Sequence, residues 1–110
     1  MNVTYAICIT AAFRSEIAEQ MAYLSQVSDS DSVLVCLKKT WEKINRLSSF
    51  PYLGKESYLR SLNNLGNRLL VVDSFLILYK VDEISKTVYL IFFAPAKRKY
   101  LFFYPDSDSK

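Results

Sequence analysis

Three apolar segments in the second half of the chain alternate with short polar turns. The segments are Leu69–Val72, Phe75–Val81 and Thr87–Phe93, which are rich in branched and aromatic residues and contain neither Pro nor Gly. Asp73-Ser74 and Asp82–Ser85 separate them and suit tight turns. This pattern predicts a three-strand antiparallel meander. Because the middle segment is apolar at both odd and even positions, we expect at least part of that strand to be covered on both faces.

The N-terminal part of the chain predicts a strand followed by a helix. Larger and smaller side chains alternate from Val3 to Ile9, which is typical of a strand of about eight residues. Thr10 follows in a position that suits a helix N-cap. Apolar residues then recur at intervals of four and three, which predicts an amphipathic helix of about fifteen residues with Glu16 facing water. Its apolar stripe comprises Phe13, Ile17, Met21 and Leu24.

A second helix is predicted after the polar segment Ser25–Ser32. It ends at Ser48-Ser49, because Pro51 disfavours helical dihedrals at Phe50. The short break makes the two helices an antiparallel hairpin that packs on one face of the sheet. The apolar stripe of the second helix comprises Val33 or Leu34, Leu37, Trp41, Ile44 and Leu47, and its polar side Lys38, Lys39, Glu42, Lys43 and Arg46.

The predicted fold class is therefore α+β, with an N-terminal strand, a two-helix hairpin and a three-strand meander in a single domain over residues 1–110. Tyr52–Leu65, which contains Gly54 and Asn63-Asn64, is predicted to be a loop. Basic and aromatic residues are mixed from Lys97 to Tyr104, and residues 105–110 are expected to fray.

Composition restricts the chemistry that this chain can perform. There is no histidine, so neither a histidine acid–base pair nor a metal site is expected, and we expect no cofactor. The N-terminus does not resemble a signal peptide, and no apolar run is long enough to cross a bilayer. These features predict a soluble, cytoplasmic protein in which Cys8 and Cys36 are buried and unpaired. The whole net charge of +3 lies after residue 54, which is compatible with nucleic acid or an acidic protein partner.

Three segments of the chain carry a resemblance to a known family. Ile44 to Gly54 resembles the helix end and the F-P-x-x-G loop of ParE-type toxins in the RelE/ParE superfamily. Arg68 to Asp82 is similar to the pair of central strands of that family. Lys97-Arg98-Lys99-Tyr100 is similar to its closing basic element. The likeness extends from Val3 to Tyr104, and the pieces occur in the family's order.

The resemblance implies a toxin of a type II toxin–antitoxin pair, held inactive by a co-encoded antitoxin. RelE-type members cut mRNA on the ribosome, whereas ParE-type members bind and block DNA gyrase without chemistry of their own. The expected partners are therefore an antitoxin and either gyrase or the ribosome with mRNA, and no membrane. A homodimer and a toxin–antitoxin hetero-oligomer both stay open.

The resemblance also supplies candidate site residues. The RNase arrangement would place catalytic groups at Arg68, Arg98 and Tyr104, but two further cationic positions fall on Leu70 and Leu76. Because two of the four cationic positions of that arrangement are apolar here, we favour the gyrase-binding interpretation over the mRNA endoribonuclease. The residues expected to bind the target are Lys97, Arg98, Lys99 and Tyr100, which could contact phosphates and stack on bases or form a protein interface.

Several alternatives stay open at this point. Arg68 could be a solvated strand end, Arg98 a surface charge and Tyr104 a residue that packs against the sheet. The endoribonuclease remains the second functional hypothesis. A third is a toxin-like fold retained only for antitoxin pairing and operon regulation.

Overall fold

The computed structural model describes residues 3–56 and 67–96. In these ranges the chain forms two helices and five strands. The elements are β1 (Ala6–Ile9), α1 (Ala11–Val27), α2 (Ser30–Ser49), β2 (Lys55–Glu56), β3 (Asn67–Val72), β4 (Phe75–Asp82) and β5 (Thr87–Pro95). The predicted α+β class, with a helical hairpin followed by a meander, is confirmed. The described part of the chain contains no helix that is both long and apolar enough for a membrane span.

The strands form one mixed sheet in the order β1-β5-β4-β3-β2. β1 pairs with β5 in parallel, and the other neighbours are antiparallel. The turn at Asp73-Ser74 is as tight as predicted, since Val72 pairs with Phe75. Asp73 has a φ of 54°, a left-handed conformation that aspartate tolerates better than most residues.

Two predicted boundaries were wrong. β1 has four residues instead of about eight, because the preceding Tyr5 is tied to the end of α2. The Tyr5 amide donates to the Ser48 carbonyl at 2.8 Å, and the Ser48 hydroxyl donates to the Tyr5 carbonyl at 2.8 Å. The break between the helices, predicted as Ser25–Ser32, consists only of Ser28-Asp29. Helix α2 begins earlier than predicted because the Asp29 carboxylate caps it by accepting from the Ser32 amide at 2.8 Å.

Both helices pack on the same face of the sheet and form the main core with it. Phe13 and Ile17 of α1 and Ile44 and Leu47 of α2 are buried, whereas Leu34 is 62% exposed. The sheet contributes the buried side chains of Leu70, Val72, Phe75, Ile77, Tyr79, Val88, Leu90 and Phe93. Other predicted members of the helix stripes are half-buried at the edge of this core: Met21, Leu24, Leu37 and Trp41.

The opposite face of the sheet is also largely buried, as the apolar middle segment predicted. Leu76 and Leu78 of β4 are 2% and 6% exposed, and neighbouring strands add Leu69 and Ala94. Successive strand residues point to opposite faces, so these side chains cannot belong to the layer under the helices. The prediction that at least part of β4 is covered on both sides is confirmed for Phe75–Tyr79, whereas Lys80 is exposed.

Two hydrogen bonds from the start of α1 join this helix to β5. Thr10 is the N-cap as predicted, and its hydroxyl also donates to the Leu90 carbonyl at 2.7 Å. Glu16, predicted to face water, is half-buried and accepts from the Phe93 amide at 3.1 Å. This amide follows a bulge in β5, where the pairing shifts by one residue between Leu78 and Tyr79 of β4.

Other sequence expectations are partly met. Both cysteines are free, but Cys8 and Cys36 are half-buried and not fully enclosed, and burial raises the pKa of the Cys36 thiol. The predicted loop after Tyr52 contains the short strand β2, whose residues pair with Leu69 and Arg68. The rest of that loop, the tail from Lys97 and the expected fraying of residues 105–110 lie outside the described residues.

Candidate functional site

The segment that follows α2, the Phe50–Gly54 loop, turns apolar side chains toward solvent. Phe50 is 62% exposed, Tyr52 49% and Leu53 43%, whereas Pro51 and Gly54 are buried. The loop begins where the Phe50 amide closes the last turn of α2 by donating to the Arg46 carbonyl at 2.8 Å. Pro51 and Gly54 thus anchor the loop, while Phe50, Tyr52 and Leu53 face solvent.

Arg68 of β3 holds this loop in place. Its Nε donates to the Gly54 carbonyl at 2.9 Å and its Nη2 lies 3.5 Å from the Tyr52 carbonyl. The guanidinium lies 5.1 Å from the centre of the Tyr52 ring, a cation–π distance. Its Nη1 is 3.9 Å from a Glu56 carboxylate oxygen. Only 18% of the Arg68 side chain is exposed, and two of its five N–H donors go to carbonyls of the loop.

Tyr79 of β4 anchors the same loop from beneath. Its side chain is 0% exposed, and its Oη accepts from the Gly54 amide at 2.7 Å. Burial raises the pKa of the Tyr79 phenol, although the Gly54 hydrogen bond and Arg68 partly oppose this. The phenol is therefore neutral at physiological pH and serves as a hydrogen-bond acceptor for the loop backbone.

A cluster around Glu83 connects the loop to the β4–β5 turn and to the start of β1. The Glu83 carboxylate accepts from the hydroxyls of Tyr5, at 2.7 Å, and of Tyr52, and pairs with Lys86 Nζ at 2.8 Å. Hydrogen bonds from Lys86 and Tyr5 lower the pKa of Glu83. The same carboxylate raises the pKa of Tyr5 and of Lys86. One exposed carboxylate thus joins three separate segments at this end of the sheet.

No metal site was found among the described residues. Residues 3–56 and 67–96 contain no group of three or more side chains of the metal-binding types His, Cys, Asp or Glu. The arrangement presents exposed rings and one carboxylate on a backbone that is anchored by hydrogen bonds from Arg68 and to Tyr79.

Comparison with known proteins was informative at the level of structure only. No protein-family profile and no curated protein matches this sequence. A chain of the chromosomal ParDE toxin–antitoxin system from P. aeruginosa superposes with a TM-score of 0.69 at 12% identity, covering 84% of this chain and 96% of that one. A chain of the RelBE2 toxin–antitoxin complex from Mycobacterium tuberculosis gives a TM-score of 0.59 at 16% identity, covering 84% and 99%.

The chain has the RelE/ParE toxin fold. The element order, the hairpin on one face and the sheet agree with this assignment, and the resemblance inferred from the sequence is confirmed at the level of fold. At 12% and 16% identity, the likeness does not by itself transfer an activity.

Of the predicted catalytic residues Arg68, Arg98 and Tyr104, Arg68 alone lies within the described residues. Arg68 is described, and it contacts the Phe50–Gly54 loop instead of forming a solvated strand end. The two strand positions that lack the cations of the RNase arrangement, Leu70 and Leu76, are 5% and 2% exposed. The remaining predicted site residues, which are Lys97, Arg98, Lys99, Tyr100 and Tyr104, lie outside the described residues.

The groups that position the loop are not predictable from the sequence pattern. Tyr79 continues the alternation of Phe75 and Ile77, so the pattern indicated that it faces the core but not that its hydroxyl binds Gly54. Glu83 was interpreted as a turn former only. No local signal in the sequence could have connected Glu83 to Tyr5, which lies 78 positions away.

The Glu83 cluster predicts a pH-dependent contribution to stability. The pKa of Glu83 is lower in the folded chain than in the unfolded chain, so its contribution is present above the unfolded value, near 4.5, and is lost as pH falls through the lowered folded value. We expect Glu83→Gln to be less stable than wild type at pH 7 and to approach wild type in acid. Urea midpoints measured for both chains from pH 7 down to pH 3 test this.

Asp82 provides the control for this measurement, because backbone hydrogen bonds from Ser85 and Ile84 also lower its pKa. Asp82→Asn should show its own acid dependence while leaving the Tyr5–Glu83–Tyr52 contacts intact. A difference between Glu83→Gln and wild type that does not change between pH 7 and pH 3 would contradict the assignment.

Proposed function

We propose that this chain is the toxin of a type II toxin–antitoxin pair, neutralised by a co-encoded antitoxin, and that it inhibits growth by binding DNA gyrase. The observation that carries the first part is the fold shared with a chain of a ParDE system over 96% of that chain's length. The resemblance of Ile44–Gly54, Arg68–Asp82 and Lys97–Tyr100 to ParE-type toxins supports the same conclusion from the sequence.

Two leucines favour gyrase binding over RNA cleavage. An RNase of this superfamily would need cations at the positions of Leu70 and Leu76, and both side chains are buried. A lysine or arginine there would lose its hydration without a partner, which is costly in a protein interior. Arg68, the remaining strand cation, already donates to the carbonyls of the Phe50–Gly54 loop.

The loop itself suits a protein target. Phe50, Tyr52 and Leu53 are exposed on a backbone that Arg68 and Tyr79 hold rigidly. Exposed aromatic side chains on a rigid support are typical anchors of protein interfaces, because they bury large areas at low entropic cost. We assign the loop to target contact together with the basic segment Lys97–Tyr100.

Inducible expression followed by two assays tests this function. Growth should stop on induction, the purified chain should inhibit supercoiling by purified gyrase, and primer extension on cellular mRNA should show no new cuts. Phe50→Ala should weaken gyrase inhibition, whereas Val27→Ala, which removes a similarly exposed apolar side chain on α1, should not. Normal growth after induction of the wild-type chain would refute the toxin assignment.

The likeness to a RelBE2 chain favours one alternative, an mRNA endoribonuclease acting on the ribosome through Arg68, Arg98 and Tyr104. Cuts at codon positions that appear only during translation would establish it and exclude the gyrase mechanism. Arg98→Ala should then abolish cleavage while leaving antitoxin binding intact. Arg14→Ala, at an exposed position of α1, is the matched control.

A further inference from the structure

The turn between β4 and β5 exposes an isoleucine almost completely. Ile84 is 97% exposed, the highest value among the large apolar residues that the structure describes. Turns favour Gly, Asn, Asp and Ser, whereas β-branched side chains suit the pleated surface of a sheet. The Ile84 side chain therefore adds almost nothing to the folded core and is available to another molecule.

Polar groups on either side of Ile84 hold the turn. The Asp82 carboxylate accepts from the Ile84 amide at 3.0 Å and from the Ser85 amide at 3.3 Å. Lys86 ends the turn with a left-handed φ of 53°, and its Nζ pairs with the Glu83 carboxylate at 2.8 Å. Because the backbone of the turn is held in this way, burying the protruding Ile84 side chain on a partner would cost little conformational entropy.

Glu83 joins this turn to the Phe50–Gly54 loop. Its carboxylate accepts from the Tyr52 hydroxyl, and the ring of Tyr52 lies 5.1 Å from the Arg68 guanidinium. Ile84 follows Glu83 directly, so the two Cα atoms are about 3.8 Å apart. The turn and the loop therefore meet at one end of the sheet and form a loop–turn surface. The exposed apolar side chains of this surface are Phe50, Tyr52, Leu53 and Ile84.

We propose that Ile84 is an anchor of target binding and that Glu83 positions it beside Tyr52 in the same contact. The proposal rests on the proposed function for the identity of the target, DNA gyrase. Neighbouring apolar side chains on a protein surface mark interaction sites, and a few anchors carry most of the binding energy. Glu83 acts through Tyr52 and the turn, and is a positioning residue.

The shape and charge of the loop–turn surface favour a folded protein partner. An isoleucine that protrudes from a turn fills a pocket on its partner, whereas an extended peptide lies in a groove. A second copy of this chain would bring the same protrusion to the contact and not the pocket. Lys86 and Arg68 are already paired with the carboxylates of Glu83 and Glu56, which weakens their attraction for nucleic-acid phosphates.

Surface plasmon resonance with immobilised gyrase holoenzyme tests the anchor. Ile84→Ser should weaken binding by about tenfold or more, because the burial of one isoleucine side chain is lost. Leu34→Ser is the matched control and should leave the affinity within about twofold. Leu34 is 62% exposed near the start of α2, where neighbouring residues face the β3–β4 turn at the other end of the sheet. The urea midpoints of both variants should match wild type, since both side chains are exposed.

Tyr52→Phe tests the positioning role, because it removes only the hydroxyl that donates to Glu83. We expect the gyrase affinity to fall about threefold to tenfold while circular dichroism stays that of wild type. In the double variant with Ile84→Ser, the loss should be smaller than the product of the two single losses, since both changes act on the same contact. Losses that multiply would show that the two residues act independently and would overturn the positioning role.

The anchor assignment is overturned, with the proposed function left intact, if Ile84→Ser binds gyrase as well as wild type or if Leu34→Ser loses as much affinity. It is also overturned if Ile84→Ser keeps its gyrase affinity but loses binding to the antitoxin or to a second copy of the chain, measured by analytical ultracentrifugation. A wild-type chain that does not bind gyrase refutes the proposed target and this inference together.

Discussion

Replacing Phe93 with alanine should lower the free energy of unfolding by about 3–5 kcal/mol, the usual cost of removing a buried phenylalanine. Phe93 is 1% exposed and is the ring that joins three elements. It stacks on Phe75 of β4 with ring centres 4.9 Å apart and meets the edge of Phe13 of α1 at 5.6 Å. Its removal would leave a cavity between helix and sheet and abolish two favourable aromatic contacts.

Urea denaturation monitored by circular dichroism measures this change in the free energy of unfolding. Phe50→Ala is the matched control, because it deletes the same side chain at a position that is 62% exposed, and its effect should stay within about 0.5 kcal/mol. If Phe93→Ala cost no more than Phe50→Ala, the packing of α1 on β5 described above would be wrong.

Gly54→Ala should cost at least about 2 kcal/mol, by the overpacking and lost-hydrogen-bond mechanisms together. A Cβ atom at Gly54 would lie 2.5 Å from the Leu69 carbonyl oxygen and 2.8 Å from both Cε1 and Oη of Tyr79. Neither neighbour can retreat, since Leu69 belongs to β3 and the Tyr79 ring is fully buried. The loop must therefore move and lose the hydrogen bond from the Gly54 amide to Tyr79.

The change should be visible both as a lower urea midpoint and as increased exposure of the loop to limited proteolysis. Lys55→Ala, at the next position, which is exposed, should leave both measurements near wild type. If Gly54→Ala were as stable as wild type, Gly54 would not pack closely against both the Leu69 carbonyl and the Tyr79 ring. Because Phe50, Tyr52 and Leu53 depend on this anchor, the proposed target contact should weaken along with the stability.

Arg68 illustrates how far sequence reasoning about the site could reach. The motif placed an arginine at the start of a central strand, and its position on β3 is as expected. Its partners are the Gly54 and Tyr52 carbonyls, which lie 14 and 16 positions earlier in the chain. A likeness to a catalytic position does not reveal those partners, because they depend on where the Phe50–Gly54 loop returns to the sheet.

The helices also show that local spacing can be predicted from the sequence, whereas contacts with distant strands cannot. The spacing of Phe13, Ile17, Ile44 and Leu47 correctly predicted which side chains enter the core, since helical periodicity is a local property. The same spacing predicted Glu16 to face water. The bulge in β5 leaves the Phe93 amide available to that carboxylate, and the sequence carries no sign of the bulge.

The sequence by itself determined the order of elements, the fold class and the two turns of the meander, because these follow from side-chain periodicity and turn chemistry over a few neighbouring residues. Only the tertiary structure decided that β1 lies parallel to β5, that Arg68 and Tyr79 hold the Phe50–Gly54 loop, and that α2 packs against β3. Each of these depends on contacts between residues far apart in the chain, whose geometry is set by strand register and helix packing and not by local sequence.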